Sequence, residues 1–171
     1  MKILKTPLTD RSLDGIKVQD IIYVSGTIYT LRDLAHKRVV EYLDLKKKLP
    51  IDLRSSIIYH CGPLIFDNKV FAAGPTTSAR MNKYESRLIE EGVKIIIGKG
   101  GMNEEVQKAL SLHNAMYVTF TGGCGALAST FVKKIKNQYW SDLGMAESIW
   151  EFEVLNFGPL IVSIDTDKNS I

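Results

Sequence analysis

Apolar and polar positions along the chain fall into short blocks whose period changes repeatedly, and the changes mark out alternating strands and helices. From Lys17 to Leu31 the run Lys-Val-Gln-Asp-Ile-Ile-Tyr-Val-Ser-Gly-Thr-Ile-Tyr-Thr-Leu is rich in β-branched and aromatic residues, which predicts one or two strands with a bulge or turn at Ser25-Gly26. Asp33 then predicts the cap of a helix from Leu34 to about Lys47. Leu34, Val39, Val40, Leu43 and Leu45 give that helix an imperfect apolar stripe, and Pro50 closes it. Between Ile57 and Ala73 two apolar runs flank Asp67-Asn68, a dipeptide suited to a hairpin turn. A helix from about Thr77 to Glu91, a strand from Val93 to Ile97 and a helix from Asn103 to Leu112 follow. After them come a strand from Ala115 to Phe120 and a helix from Ala126 to Val132. An aromatic-rich section through Trp140, Trp150, Phe152 and Phe157 leads to a closing strand from Leu160 to Asp165.

The order of elements predicts an α/β fold, and in such a sheet the turns between strand ends and helix starts gather at one edge, where ligands sit. The richest of these turns is Gly74-Pro75-Thr76-Thr77-Ser78-Ala79-Arg80-Met81. Pro75 suits a helix start, whose free amides and dipole favour negative charge. Thr76 and Arg80, four apart, are expected on one helical face, with Arg80 gripping a carboxylate through two parallel hydrogen bonds and the hydroxyl touching the carbon skeleton. Lys99 stands among glycines in Gly98-Lys99-Gly100-Gly101, and Arg32 lies in Thr30-Leu31-Arg32-Asp33-Leu34-Ala35-His36, where Asp33 is its expected ion-pair partner. Three such cations suit a small di-anionic acid. Two nucleotide motifs are weighed and set aside. The Lys99 turn lacks the spacing and the hydroxyl of a P-loop, and Gly123-Cys124-Gly125-Ala126-Leu127-Ala128 matches a relaxed dinucleotide fingerprint with no second mononucleotide half behind it. Tight backbone packing is the plainer reading of those glycines.

Composition narrows the functional classes. With 171 residues, 45% of them hydrophobic, the chain is expected to form one domain over residues 1–171. A net charge of +3 from interspersed charges gives no ground for a nucleic-acid partner, and Lys46-Lys47-Lys48 is read as the wet end of a helix. No apolar stretch is long enough to span a bilayer and Met1-Lys2-Ile3-Leu4-Lys5 is not a secretory signal, so a cytoplasmic location is expected. Cys61 and Cys124 lie far apart and are expected as free thiols, too few to hold an iron–sulfur cluster. His36, His60 and His113 are equally scattered, so no metal site made wholly by this chain is expected.

Taken in order, several motifs resemble the β subunit of class I fumarases and L-tartrate dehydratases, equivalent to the C-terminal part of single-chain iron–sulfur hydro-lyases. They are Ser25-Gly26 with Thr30 to His36, Tyr59-His60-Cys61-Gly62-Pro63, Gly74 to Met81 and Gly98-Lys99-Gly100-Gly101-Met102. Gly122 to Ala126 and Trp140-Ser141-Asp142-Leu143-Gly144-Met145 with Glu147 and Trp150 complete the set. The resemblance covers nearly the whole chain and implies a swivelling β/β/α domain that adds water to, or removes it from, a four-carbon dicarboxylic acid, with fumarate placed ahead of tartrate or mesaconate. It implies Thr76 as the base and Arg32, Arg80 and Lys99 as carboxylate-binding groups. It also implies a [4Fe–4S] cluster held by a partner α subunit in a heterodimer or α2β2 assembly, so this chain alone is expected to be inactive. From a different class stands a free-standing module that binds an anionic metabolite through the same turns.

Overall fold

Runs that are apolar on both faces take the middle of the structure, as fully buried parallel strands do. The computed structural model describes residues 2–171. In chain order the strands and helices are β1 (Lys2–Lys5), β2 (Ile21–Thr30), α1 (Asp33–Asp44), β3 (Ile57–Tyr59), the hairpin β4 (Leu64–Phe66) and β5 (Lys69–Ala72), and α2 (Asn82–Glu90). They continue with β6 (Ile95–Gly98), α3 (Glu104–Leu112), β7 (Met116–Thr119), α4 (Gly125–Thr130), β8 (Val132–Tyr139) and β9 (Ile149–Ile164). Strands β2, β3, β6 and β7 run parallel, and β9 pairs antiparallel with both β7 and β2. The sheet thereby closes on itself as a small barrel, with β1 beside β2 and β8 beside β9.

The alternation of side chains along each strand divides the core in two. Ile57, Tyr59, Ile95 and Ile97 point into the barrel with Phe152 and Phe157. Their neighbours Ile58 and Ile96 point outward, under Val39 of α1, Leu88 of α2 and Leu110 of α3. The hairpin turn is where the sequence places it, with both Asp67 and Asn68 in the left-handed region that a two-residue turn of this kind demands. The bulge expected at Ser25-Gly26 is also present. The β2–β9 register shifts on both sides of Val24, and Gly26, at a φ of +101°, leaves room for the Thr6 hydroxyl that accepts from the Thr27 amide.

Four local expectations are revised. Strand β1 and the pairing of β8 with most of β9 have no clear counterpart in the sequence reading, because β8 is a largely exposed edge whose lysines hide the alternation. The first helix ends at Asp44 rather than Lys47. Asp33 does not cap it: Arg32 occupies that place, and the carboxylate of Glu147 accepts from the Leu34 amide instead. Pro75 does not open a helix, since the chain stays extended to Thr77 before a 3₁₀ turn over Ser78–Met81 leads into α2. No helix among the described residues is long and apolar enough to cross a membrane.

Candidate active site

The ends of β2, β3 and β6 lie side by side, and the segment that follows the hairpin is laced between two of them. Pro75 bridges Cys61 just beyond β3, the Thr76 amide donates to His60 O at 2.7 Å, Thr77 bridges Lys99 just beyond β6, and the Ser78 amide donates to Lys99 O at 3.0 Å. These bonds, rather than a shared helix face, bring Thr76, Arg80 and Lys99 together. Arg32 joins them from the end of β2. Its guanidinium lies over Gly62, where a side chain would collide with it, and its Nε is 3.3 Å from Glu147 Oε1. The expected pairing of Arg32 with Asp33 is therefore replaced. Asp33 is taken by Arg80, whose Nε and Nη2 both donate to its carboxylate. That hydrogen bonding to Arg80 outweighs partial burial and holds the Asp33 carboxyl below its ordinary value. The two-point grip anticipated for Arg80 exists, with an internal carboxylate occupying it.

Beneath these loops lies a buried cluster that the spacing of the histidines did not suggest. His36 on α1, His60 after β3 and Glu85 on α2 are fully buried, and both ring Nε2 atoms meet the same oxygen, Glu85 Oε1, with His36 at 2.7 Å. Burial by itself pushes the Glu85 carboxyl up, but the two imidazoles outweigh it and hold the group at about 2. Burial pushes His60 down, against the pull of Glu85. The three groups have metal-ligand chemistry, and their donor atoms lie within 4.8 Å of one another. A separation of 2.7 Å is nonetheless that of a hydrogen bond. Two ligands of one tetrahedral zinc ion stand roughly 3.3 Å apart. A sequence signal for Glu85 did exist: it sits three and four residues before Leu88 and Ile89, on the buried stripe of α2. His113 terminates α3 and takes no part.

Cys61 and Cys124 are free thiols, as expected, and Cys61 is wholly buried, its thiol pushed up by that burial. Of the glycines in the dinucleotide-like run only Gly125 serves packing, sitting against Gly74 with its carbonyl accepting from the Ala73 amide; Gly123 has open space around it and a φ of +79°, and α4 leads into a strand antiparallel to β9 rather than into a second mononucleotide half. A cleft of about 380 Å³ beside the Lys99 loop is lined by Lys99, Met102, Tyr117 and Ser163 but not by Arg32, Thr76 or Arg80. The four site residues thus stand at an open edge, with Arg80 47% and Arg32 27% exposed.

A small barrel whose open edge carries two guanidiniums, an ammonium and a threonine defines an α/β domain with a cationic rim. The chain belongs to the fumarase C-terminus family, whose model matches residues 2–171. It is 43% identical to the L(+)-tartrate dehydratase subunit beta of Escherichia coli strain K12, over 99% of this chain and 86% of that one. It is 47% identical to the putative L(+)-tartrate dehydratase subunit beta of Methanocaldococcus jannaschii, over 96% and 87% respectively. A putative class I fumarate hydratase of Geobacillus stearothermophilus is 32% identical over 98% of this chain but only 33% of its own length.

Proposed function

We propose that this chain is the β subunit of an iron–sulfur hydro-lyase that dehydrates L-tartrate, with fumarate hydration as the second reading. The observation that carries the proposal is the lacing of Thr76, Arg80 and Lys99 onto adjacent strand ends beside Arg32, at an edge with no enclosing wall. The order of substrates reverses the sequence-based expectation. The relatives named for tartrate match along most of their own length at 43% and 47% identity, whereas the one named for fumarate is 32% identical and three times longer than the matched region.

In this reading Arg32, Arg80 and Lys99 hold the two carboxylates, and Thr76 takes the proton from the carbon beside one of them. A neutral hydroxyl is a weak base, so the cations alongside must stabilise negative charge as it develops on the oxygen. Arg80 exchanges Asp33 for the substrate, a swap of one carboxylate for another that leaves its charge paired throughout. In this reading a [4Fe–4S] cluster would be held by the partner α subunit and would supply a Lewis acid for the departing hydroxyl, the two free cysteines here being too few to ligate one. The swivelling β/β/α description fits a domain that closes onto such a partner.

Anaerobic co-purification with a cluster-bearing partner, followed by assay against L-tartrate, fumarate and mesaconate, tests the proposal. Turnover of L-tartrate by the complex and none by the chain alone is expected; a loaded complex inert toward all three acids rejects it. Tight nucleotide binding by the isolated chain would instead favour the free-standing module. Arg80→Ala and Lys99→Ala are each expected to cost on the order of 2–4 kcal/mol in kcat/KM, the loss of a charged hydrogen bond to the substrate. Unchanged kinetics in both variants would remove the carboxylate grip.

The hairpin that runs into the site supplies a surface for the partner. Leu64, Phe66 and Phe71 are 57%, 73% and 54% exposed, and the two phenylalanine rings meet edge to face at 6.4 Å. Such a patch is costly to leave in water. Phe66→Asp is expected to weaken association with the α subunit at least tenfold, about 1.4 kcal/mol. Calorimetric titration of one subunit into the other measures it, and wild-type affinity would mean that the patch lies outside the interface.

A further inference from the structure

Six contacts, the middle four buried and the two at the ends partly so, run in one line from the carbonyl oxygen of Arg32 to that of Gly100. His36 Nδ1 lies 2.8 Å from Arg32 O, His36 Nε2 lies 2.7 Å from Glu85 Oε1, and His60 Nε2 meets the same oxygen. His60 Nδ1 then lies 2.8 Å from Ser78 Oγ, which is 2.9 Å from the Tyr117 hydroxyl, which is 2.8 Å from Gly100 O. Every loop that carries a site residue is tied to this line. Arg32 supplies one end, the Thr76 amide donates to His60 O, Arg80 lies in the same 3₁₀ turn as Ser78, and Lys99 precedes Gly100. Gly98 makes room for it: a side chain there would strike Ser78 Oγ and stand 3.1 Å from His60 Nδ1.

Counting protons gives the line a direction. Both ends are carbonyls, which only accept. His36 must therefore give Nδ1–H to Arg32 O, while its Nε2 faces the Glu85 carboxylate. His60 gives its Nε2–H to Glu85. If His60 carries that proton alone, its Nδ1 accepts from Ser78, and the single proton of Tyr117 can serve Ser78 or Gly100 O but not both. Between His60 and Gly100 O one contact then lacks a proton. A second proton on His60 reverses the Ser78 hydroxyl, so that His60 donates to Ser78, Ser78 to Tyr117 and Tyr117 to Gly100 O, and every contact from Glu85 to Gly100 O is filled.

We propose that His36, Glu85, His60, Ser78 and Tyr117 form a positioning network for the substrate site, which a second proton on His60 completes, fixing the Lys99 loop for an anionic substrate. The charged and titratable groups facing His60 are Glu85 on α2, His36 and Asp33 on α1, and Tyr117 on β7 through Ser78. Burial pushes His60 down, so in the free chain this proton is absent near neutral pH and arrives on acidification. A bound dianion nearby draws it in, and by linkage the proton strengthens binding of the dianion. The binding half of this inference rests on the acid-binding role given to Lys99 above; the proton count does not.

Two measurements test it. In the isolated full chain, imidazole nitrogen NMR is followed from about pH 5 to about pH 8. Protonation of His60 is expected to shift the amide resonances of Gly100 and Gly101, and Tyr117→Phe or Ser78→Ala to abolish that shift. Amides that ignore His60, or equal shifts in both variants, would overturn the network. In the two-subunit enzyme, Tyr117→Phe is expected to raise KM roughly three- to tenfold, the worth of one hydrogen bond, with a smaller change in kcat. A fall in kcat at unchanged KM would overturn the positioning role. Should the complex turn over none of the acids, the functional reading fails while the NMR result still decides the network.

Discussion

Thr76→Ala, assayed in the complex with the α subunit, is expected to lower kcat on the order of 10²–10⁴-fold, the contribution of a positioned proton-transfer group. KM should change little, because in the proposed reading Arg32, Arg80 and Lys99 hold the carboxylates. The fold should survive as well. Thr76 is tied through its backbone, by the amide bond to His60 O and the bridge of its neighbour Thr77 to Lys99, and alanine keeps both. The effect therefore isolates the hydroxyl. Thr76→Ser, which keeps the oxygen, should retain a measurable part of the rate, and Thr77→Ala should have the smaller effect of the two threonine truncations. Turnover within about twofold of wild type for Thr76→Ala would mean that another group moves the proton.

The second large effect concerns stability. Glu85→Ala is expected to destabilise the chain by about 3–5 kcal/mol, because it leaves the buried imidazoles of His36 and His60 without the carboxylate that both meet. Glu85→Gln keeps an acceptor oxygen in place and should cost less, about 1–3 kcal/mol. Urea unfolding of the full chain measures both, and a loss below about 1 kcal/mol for Glu85→Ala would show that the cluster is not held by charge. The sign with pH follows from the direction of the shift. The folded Glu85 carboxyl is held down to about 2, so its stabilisation is fully present above the ordinary glutamate value and is lost as pH falls toward 2. His60, also lowered, works in the same sense, since the unfolded chain takes up its proton first on acidification. Acid destabilisation should accordingly be steeper in wild type than in Glu85→Gln.

Much of the fold is legible in the sequence where one local rule governs a segment. Asp67-Asn68 needs only its own backbone preference to make a turn, and Ile57-Ile58-Tyr59 and Ile95-Ile96-Ile97 need only to be apolar on both faces to be buried strands. Strand β8 escapes because its polar residues carry no alternation strong enough to announce an edge. The site is legible residue by residue but not in its pairings. Arg32, Arg80 and Lys99 were identifiable as cations at turns, yet Asp33 lies next to Arg32 in sequence and pairs with Arg80, because chain direction at the start of α1 turns it away from its neighbour. The cap of α1 comes from Glu147, far along the chain, for the same reason.

By itself the sequence determined most of the elements and which residues are candidates for the chemistry, because hydrophobic period, turn propensity and side-chain type are properties of short segments. Ordered motifs along the chain also determined the family to which those residues belong. Only the tertiary structure decided that the sheet closes through β9, that Thr76 and Lys99 meet by strand lacing rather than on a helix, and that His36, His60 and Glu85 converge beneath them. Those outcomes depend on distant segments sharing one buried space. There an imidazole or a carboxylate must find a partner or lose its charge, and sequence distance has no bearing on which partner is nearest.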